Sequence, residues 1–257
     1  MTVYDVAGLQ PAARAVAAAA AAICVRHLDG DAITIVAHGS AVKGGYLAGC
    51  SDIDLRLYVT PGRLTAEGQL PLELALRIYQ DVARLDPRPF RYAQLAAHAV
   101  GSNSGGGLIP GAYQIIYGDA CVPLATSAEL CHAAHAALGE LDAEGYALRL
   151  GAHLLGGGYP HAQELRWLCT DVWPALYHLL VCDGGDPLAV WRLPKPDAIA
   201  RTAADSEAGS AIRQFWRALN THYATGETLP TALAALEAGI AFLRAAGRWY
   251  GTREHQA

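Results

Sequence analysis

Eight consecutive residues, Asp52-Ile53-Asp54-Leu55-Arg56-Leu57-Tyr58-Val59, alternate polar and apolar without a break. A period of two is the mark of a half-buried strand: Ile53, Leu55, Leu57 and Val59 fall on one face and Asp52, Asp54, Arg56 and Tyr58 on the other. The chain is 53% hydrophobic and only 17% charged, so a strand face that collects two carboxylates and a guanidinium is a candidate site. Carboxylates held side by side repel one another. A hard divalent cation with oxygen ligands, usually Mg²⁺, relieves that repulsion.

The stretch before this strand points the same way. Ala32–Ala37 is a β-branched run that reads as the first strand, followed by His38-Gly39-Ser40. A Gly-Ser turn has little side chain and offers backbone N–H groups to phosphate oxygens. Ser40 is placed to cap a short helix over 41–47, with Lys43 on its first turn. Phosphate-binding turn and paired carboxylates together suggest a nucleoside triphosphate with its metal.

Around this centre the pattern predicts an opening helix over 9–28, ended by Asp29-Gly30-Asp31, and a break at Pro61-Gly62. An amphipathic helix over 70–85 and a third strand over 90–95 follow. A Gly/Ser/Asn-rich loop at 101–107 precedes a fourth strand over 113–117, closed by Gly118-Asp119. Beyond residue 125 the β signals stop, and helical patterns follow at 127–138, 141–155, 161–182, 206–223 and 230–249. Pro174 is expected to kink the third of these. The reading is α+β: a small mixed β-sheet domain with flanking helices over residues 1–124, then an all-helical domain over 125–257.

A net charge of −5 and a pI near 6.0 argue against a sequence-independent grip on nucleic acid, which needs a basic face. They leave a nucleotide open, because Mg²⁺ brings positive charge with it. Cys24, Cys50, Cys121, Cys131, Cys169 and Cys182 form no CxxC pair, and free thiols in a reducing cytosol are expected. The N-terminus has no basic region of a signal peptide, and the apolar run Ala15–Val25 is shorter than a membrane span. The expectation is a cytoplasmic protein that engages neither membrane nor nucleic acid; its oligomeric state is left open. His132 and His135 share a helix face but lack an acidic partner, and with His98, His153, His161, His178 and His222 they read as residues in partner or surface roles rather than as metal ligands. The five tryptophans fall in helical stretches and read mostly as core, with one or two available to line an acceptor cleft.

Gly39-Ser40 followed by Ser51-Asp52-Ile53-Asp54-Leu55 resembles the signature of the DNA polymerase β-like nucleotidyltransferase superfamily, and Ile115-Ile116-Tyr117-Gly118-Asp119 resembles the strand that often closes that domain. The likeness covers residues 30–120. The helical half resembles that of the antibiotic (aminoglycoside and lincosamide) nucleotidyltransferases. The resemblance implies that Gly39 and Ser40 hold the β- and γ-phosphates, with Lys43 adding charge. It implies that Asp52 and Asp54 are catalytic and hold two Mg²⁺ ions. A nucleoside monophosphate, AMP from ATP, then passes to a hydroxyl of a small-molecule acceptor as pyrophosphate leaves.

The family also has a third carboxylate on a neighbouring strand, which helps hold one metal and takes the hydroxyl proton. The expected strand, Phe90-Arg91-Tyr92-Ala93-Gln94-Leu95, contains no acid. Its Phe90/Tyr92/Gln94 face puts Gln94 or Tyr92 where the acid would stand, and an amide binds Mg²⁺ weakly and cannot act as a base. Asp86, Asp119, or Glu140, Asp142 and Glu144 of the helical half could supply the acid. Alternatively, the domain is degenerate and binds a nucleotide or a partner with weak or no transfer.

Overall fold

The computed structural model describes residues 3–101, 107–119, 122–156 and 161–254. Cys121, Gly105, Gly106, Gly157 and Gly158 lie outside the described residues. The chain is α+β and divides into two compact units, residues 1–126 and 127–257.

In the first unit an alanine-rich helix, α1 (Pro11–Leu28), opens with proline in its first turn, where the missing N–H costs nothing. Its buried residues Ala13, Ala17, Ala20, Ala21, Cys24 and Leu28 recur every three or four positions and are mostly small, which lets the helix lie close upon the sheet. The sheet contains β1 (Ala32–His38), β2 (Ile53–Val59), β3 (Ala93–Ala99) and β4 (Tyr113–Gly118) in the order β3-β2-β1-β4. β1 runs antiparallel to β2 and β4, whereas β2 and β3 are parallel. A parallel pair needs a crossover, and α3 (Leu72–Val82) lies within it. A one-turn helix, α2 (Ser40–Lys43), follows β1 and stops at Gly44.

One sheet face forms the main core. Ile35, Ala37, Ile53, Leu55, Leu57, Val59 and Ile116 pack with Ile78 and Val82 of α3, Phe90 and α1. Asp81, just inside the end of α3, ties α3 to α1 by accepting from Arg26 (2.7 Å) and pairing with His27 (2.9 Å). The other face carries a small apolar cluster of Val36, Tyr58 and Leu108 with Val100, Tyr113, Ile115 and Val122. Gly118 closes β4 with φ +75°, and a Cβ there would strike the carbonyl oxygen of Ile33. The turn out of the sheet therefore accepts only glycine.

The third strand lies three to four residues beyond its predicted place. Phe90, read as a strand residue, is instead buried against Tyr46 with ring centroids 4.6 Å apart, and the ladder with β2 is made by Ala93-Gln94-Leu95-Ala96-Ala97-His98-Ala99. That segment has little intrinsic β preference; pairing with β2 overrides propensity. Ser40 does not cap α2; Gly39 is the N-cap residue.

The second unit contains α4 (Ser127–Gly139), α5 (Ala143–Leu155), α6 (His161–Cys182), α7 (Pro187–Arg192), α8 (Lys195–Ala200), α9 (Glu207–Ala224) and α10 (Leu229–Glu254). Its described elements are all helical. Asp142, Asp186 and Ser206 cap α5, α7 and α9 by accepting from the N–H groups of Gly145, Ala189 and Gly209. Trp173 packs against Phe215 and Trp216 in its core. α6 continues through Pro174 without a break. The short helices α7 and α8 were not predicted; six residues are too few for a periodicity to register.

Two helices, Pro11–Leu28 and Leu229–Arg253, are long and apolar enough to cross a membrane by length and composition alone. α1 thus exceeds the Ala15–Val25 run by several residues. Both contribute buried residues to packed cores, α10 through Ala235, Leu236, Phe242, Leu243 and Ala246. Cys24, Cys131 and Cys182 are free thiols.

Candidate active site

Four residues from four strands form one row across the sheet. Asp54 of β2 is flanked by Gln94 of β3 and His38 of β1, and His38 in turn pairs with Tyr113 of β4. Residues paired in this way project from the same face, here the one opposite the main core. The next row inward is Ala96, Arg56, Val36 and Ile115. Behind it the rings of Tyr58 and His98 lie 5.6 Å apart.

Gly39 is bound up with this row. Its backbone has φ +69° and ψ −148°, a region open essentially to glycine alone. A Cβ at Gly39 would lie 2.5 Å from Oδ2 of Asp54. The turn thus approaches the carboxylate as closely as a residue without a side chain permits. Its carbonyl oxygen accepts from the N–H groups of Val42 and Lys43, which fixes α2 directly behind it. Ser40 is buried at the start of that helix.

Asp52 is half-buried one residue ahead of β2. The preceding turn is held by the N–H groups of Cys50 and Ser51 donating to the carbonyl of Leu47, and by Leu47 N–H donating to Ser51 Oγ at 2.9 Å. Ile53 between the two acids is buried in the main core. The structure therefore brings Gly39, Asp54 and Gln94 together, with Ser40 and Lys43 on the adjoining turn and Asp52 two residues from Asp54.

His38 and Tyr113 escaped the sequence reading. The signal for His38 was its parity with Thr34 and Val36 along β1, hidden because both faces of that strand carry buried residues. His38 has its pKa pushed down from the ordinary 6.5 to about 4, first by burial and then by Arg56, Lys43 and His98. The same cations, Arg56 and Lys43, set a positive field around the row. The unfolded chain takes up a proton that folded His38 refuses, so the stability that His38 contributes is complete above pH 6.5 and is lost as pH falls towards 4, in the window where His98 and His178, also lowered by burial, contribute in the same direction. The gap is worth at most roughly 3 kcal/mol. Urea midpoints across that window in metal-free buffer should show the decline, and His38→Gln should make it shallower; an unchanged slope in the variant would refute the assignment. Asp31 and Asp81 have lowered pKa values through hydrogen bonds from Thr60 and Arg63 and from His27, so their contribution is lost only at lower pH.

Four of the other candidate acids are accounted for, and Glu140 is exposed in the turn after α4. Asp86 is bound by Arg88, with Nε to Oδ1 at 2.8 Å. Asp119 follows β4 at the opposite end of β1, where Gly118 pairs with Thr34; that is four residues from His38, roughly 13 Å along the strand. Asp142 caps α5, and Glu144 pairs with Arg244 at 2.7 Å. Among the described residues, no group of three or more His, Cys, Asp or Glu side chains is placed to hold a metal ion. Two carboxylates nevertheless suit one Mg²⁺ that arrives on substrate phosphates, since this ion takes one or two protein carboxylates and completes its shell elsewhere. The donor set fits one such ion. A second would have only the amide of Gln94 in place of the expected acid. No protein-family model matches this chain, and comparison with curated proteins gives no match.

Proposed function

We propose that this chain is a Mg²⁺-dependent nucleotidyltransferase of the DNA polymerase β-like type. It moves a nucleoside monophosphate, AMP from ATP, onto a hydroxyl of a small antibiotic-like acceptor in the cytoplasm, with the helical unit serving the acceptor. The observation that carries this reading is the close approach of the Gly39 turn to Asp54, at the head of a strand face whose nearby cations are Arg56 and Lys43. In the proposed arrangement the Gly39-Ser40 backbone and Lys43 hold the triphosphate tail, and Asp52 and Asp54 orient the metal-bound nucleotide. The ion supplies charge neutralisation at the phosphates. Burial keeps His38 neutral, so it adds no cation beside Asp54.

A thermal-shift panel of nucleoside triphosphates, with and without Mg²⁺, tests the reading. Stabilisation by ATP that requires Mg²⁺ is the expected result. No metal-dependent stabilisation by any triphosphate would sink it. Pyrophosphate release across an acceptor panel separates transfer from binding.

The second reading, a degenerate fold that binds a nucleotide or partner with weak or no transfer, is favoured by Gln94 beside Asp54. Gln94→Glu distinguishes the two. Gln94 is exposed on an edge strand, so the change should alter stability by less than about 0.5 kcal/mol. If Gln94 occupies the missing acid's place, Gln94→Glu should tighten Mg²⁺ binding. It should also raise pyrophosphate release by about 10²-fold or more, the scale of a general base. Unchanged Mg²⁺ affinity would remove Gln94 from that role.

A further inference from the structure

Arg56 follows Asp54 by two residues on β2, so its side chain leaves the sheet on the same face, about 7 Å further along. It is half-buried. Its neighbours across the ladder are Ala96 of β3 and Val36 of β1, one too small and the other too apolar to answer a charge. His38 lies diagonal to it on β1 and His98 diagonal to it on β3. Burial first, and then the positive charge of Arg56, lowers the pKa of each.

Other arginines of this unit are held by oxygen acceptors. Arg14 donates to the carbonyls of Leu9 and Ala7, Arg26 and Arg84 to Asp81, Arg63 to Asp31 and Arg88 to Asp86. Arg77 lies on the exposed side of α3, where water solvates it. Among the described residues Arg56 has no such hydrogen bond or ion pair, and it is not joined to Asp54. A guanidinium drawn partly out of water without a counter-ion destabilises a fold. An anion that arrives with a ligand relieves that penalty.

An acid and a guanidinium on one face, close in the strand yet not joined to each other, suit a ligand that carries both signs of charge. A Mg²⁺–phosphate complex does so, with the ion at Asp54 and phosphoryl oxygens at Arg56. Asp52 and Asp54 fit one ion, so the phosphate oxygens turned away from it meet a cation only where the protein supplies one. The position along the strand selects the phosphate. The Gly39 turn lies beyond one side of the Asp54 row and Arg56 beyond the other. With the triphosphate tail at the turn, the α-phosphate is the one nearest Arg56.

We propose that Arg56 holds the α-phosphate of the bound nucleotide, donating its planar fork to the non-bridging oxygens that Mg²⁺ leaves uncovered; this rests on the nucleotidyltransferase reading. In the transfer the acceptor oxygen bonds to the α-phosphorus. The bond to the oxygen that bridges to the β-phosphate breaks, its electron pair leaves with pyrophosphate, and the hydroxyl proton passes to water. Arg56 stays on the non-bridging oxygens throughout, where a fixed cation stabilises the charge of the transition state.

Calorimetric titration of the full chain with ATP, AMP and adenosine, each in Mg²⁺ and in EDTA, tests this on wild type, Arg56→Leu and Arg56→Lys. Wild type should bind AMP about tenfold more tightly than adenosine, and Arg56→Leu should erase that preference and weaken ATP by about 10–100-fold, the scale of a charged hydrogen bond. The loss should persist in EDTA, because the guanidinium acts without the ion. Arg56→Lys should recover only part of it, since lysine has no fork. Without ligand, Arg56→Leu should unfold at the same urea concentration as wild type or a higher one, having lost an unanswered charge and kept an apolar stem. A lower midpoint would overturn the inference by giving the guanidinium a structural role. Unchanged ATP affinity in Arg56→Leu would overturn it and leave the nucleotidyltransferase reading standing. A wild type with no preference for AMP, or an Arg56→Leu variant that keeps it, would overturn the α-phosphate assignment. A wild type that binds no triphosphate would overturn both the inference and the reading beneath it.

Discussion

Asp54→Asn should abolish the Mg²⁺-dependent part of nucleotide stabilisation while leaving the fold intact. The amide has nearly the shape of the carboxylate, so the close packing against Gly39 survives and the row from Gln94 to Tyr113 keeps its geometry. Only the charge is lost, and a neutral amide is a poor ligand for a hard cation. Wild-type protein with nucleotide at 100 times its dissociation constant gains about 2.7 kcal/mol; the variant should gain almost none of it when Mg²⁺ is present. Transfer, where measured, should fall by about 10²–10⁴-fold, the scale of losing several kcal/mol of charge stabilisation. Calorimetric titration and pyrophosphate release check the two effects separately. A full Mg²⁺-dependent shift in Asp54→Asn would remove Asp54 from the site.

Gly39→Ala should be costly twice over. Its backbone conformation, φ +69° and ψ −148°, costs a residue with a side chain about 1–3 kcal/mol. The new methyl also meets Asp54 Oδ2 at 2.5 Å, so the carboxylate must leave its place. Urea denaturation should report a loss of roughly 2–3 kcal/mol, and the nucleotide response should vanish with it. Gly62→Ala is the control: nothing lies within 4 Å of a Cβ there and its φ is not positive, so it should be near neutral. The two parts of the Gly39 penalty separate in an Asp54→Ala background, where only the backbone cost remains. An equal penalty in both backgrounds would mean that the carboxylate does not press on the turn.

How far the sequence discloses this molecule depends on how local each determinant is. The alternation from Asp52 to Val59 is a strand because each residue obeys its own face, and the structure places Ile53, Leu55 and Leu57 in the core and Asp54 and Arg56 opposite. The longer helices announce themselves by the same kind of periodicity. β3 does not. Its residues are mostly alanine, and what makes it a strand is the ladder offered by β2, a determinant some forty residues away in the chain. The aromatic Phe90 drew the predicted strand forward because aromatic residues favour strands, yet it fills the core instead. His38 was concealed for a related reason. Val36 and Ile35 are both fully buried, so β1 shows no alternation by which to place His38 on the site face. The proposed roles of Gly39 and Asp54 could be read from their types; the 2.5 Å approach between them could not.

The order of the strands has a consequence for how this site can vary. Asp54 stands on an inner strand, with a neighbour on each side and its two flanking residues, Ile53 and Leu55, locked in the core. Gln94 stands on the rim, exposed, with small residues for company. A side chain of different size at the first position meets neighbours on both sides, whereas one at the second meets little resistance. The sheet therefore couples an immovable acid to an interchangeable neighbour. Chemistry at the rim can be acquired or surrendered by a single replacement, without asking anything of the fold beneath it.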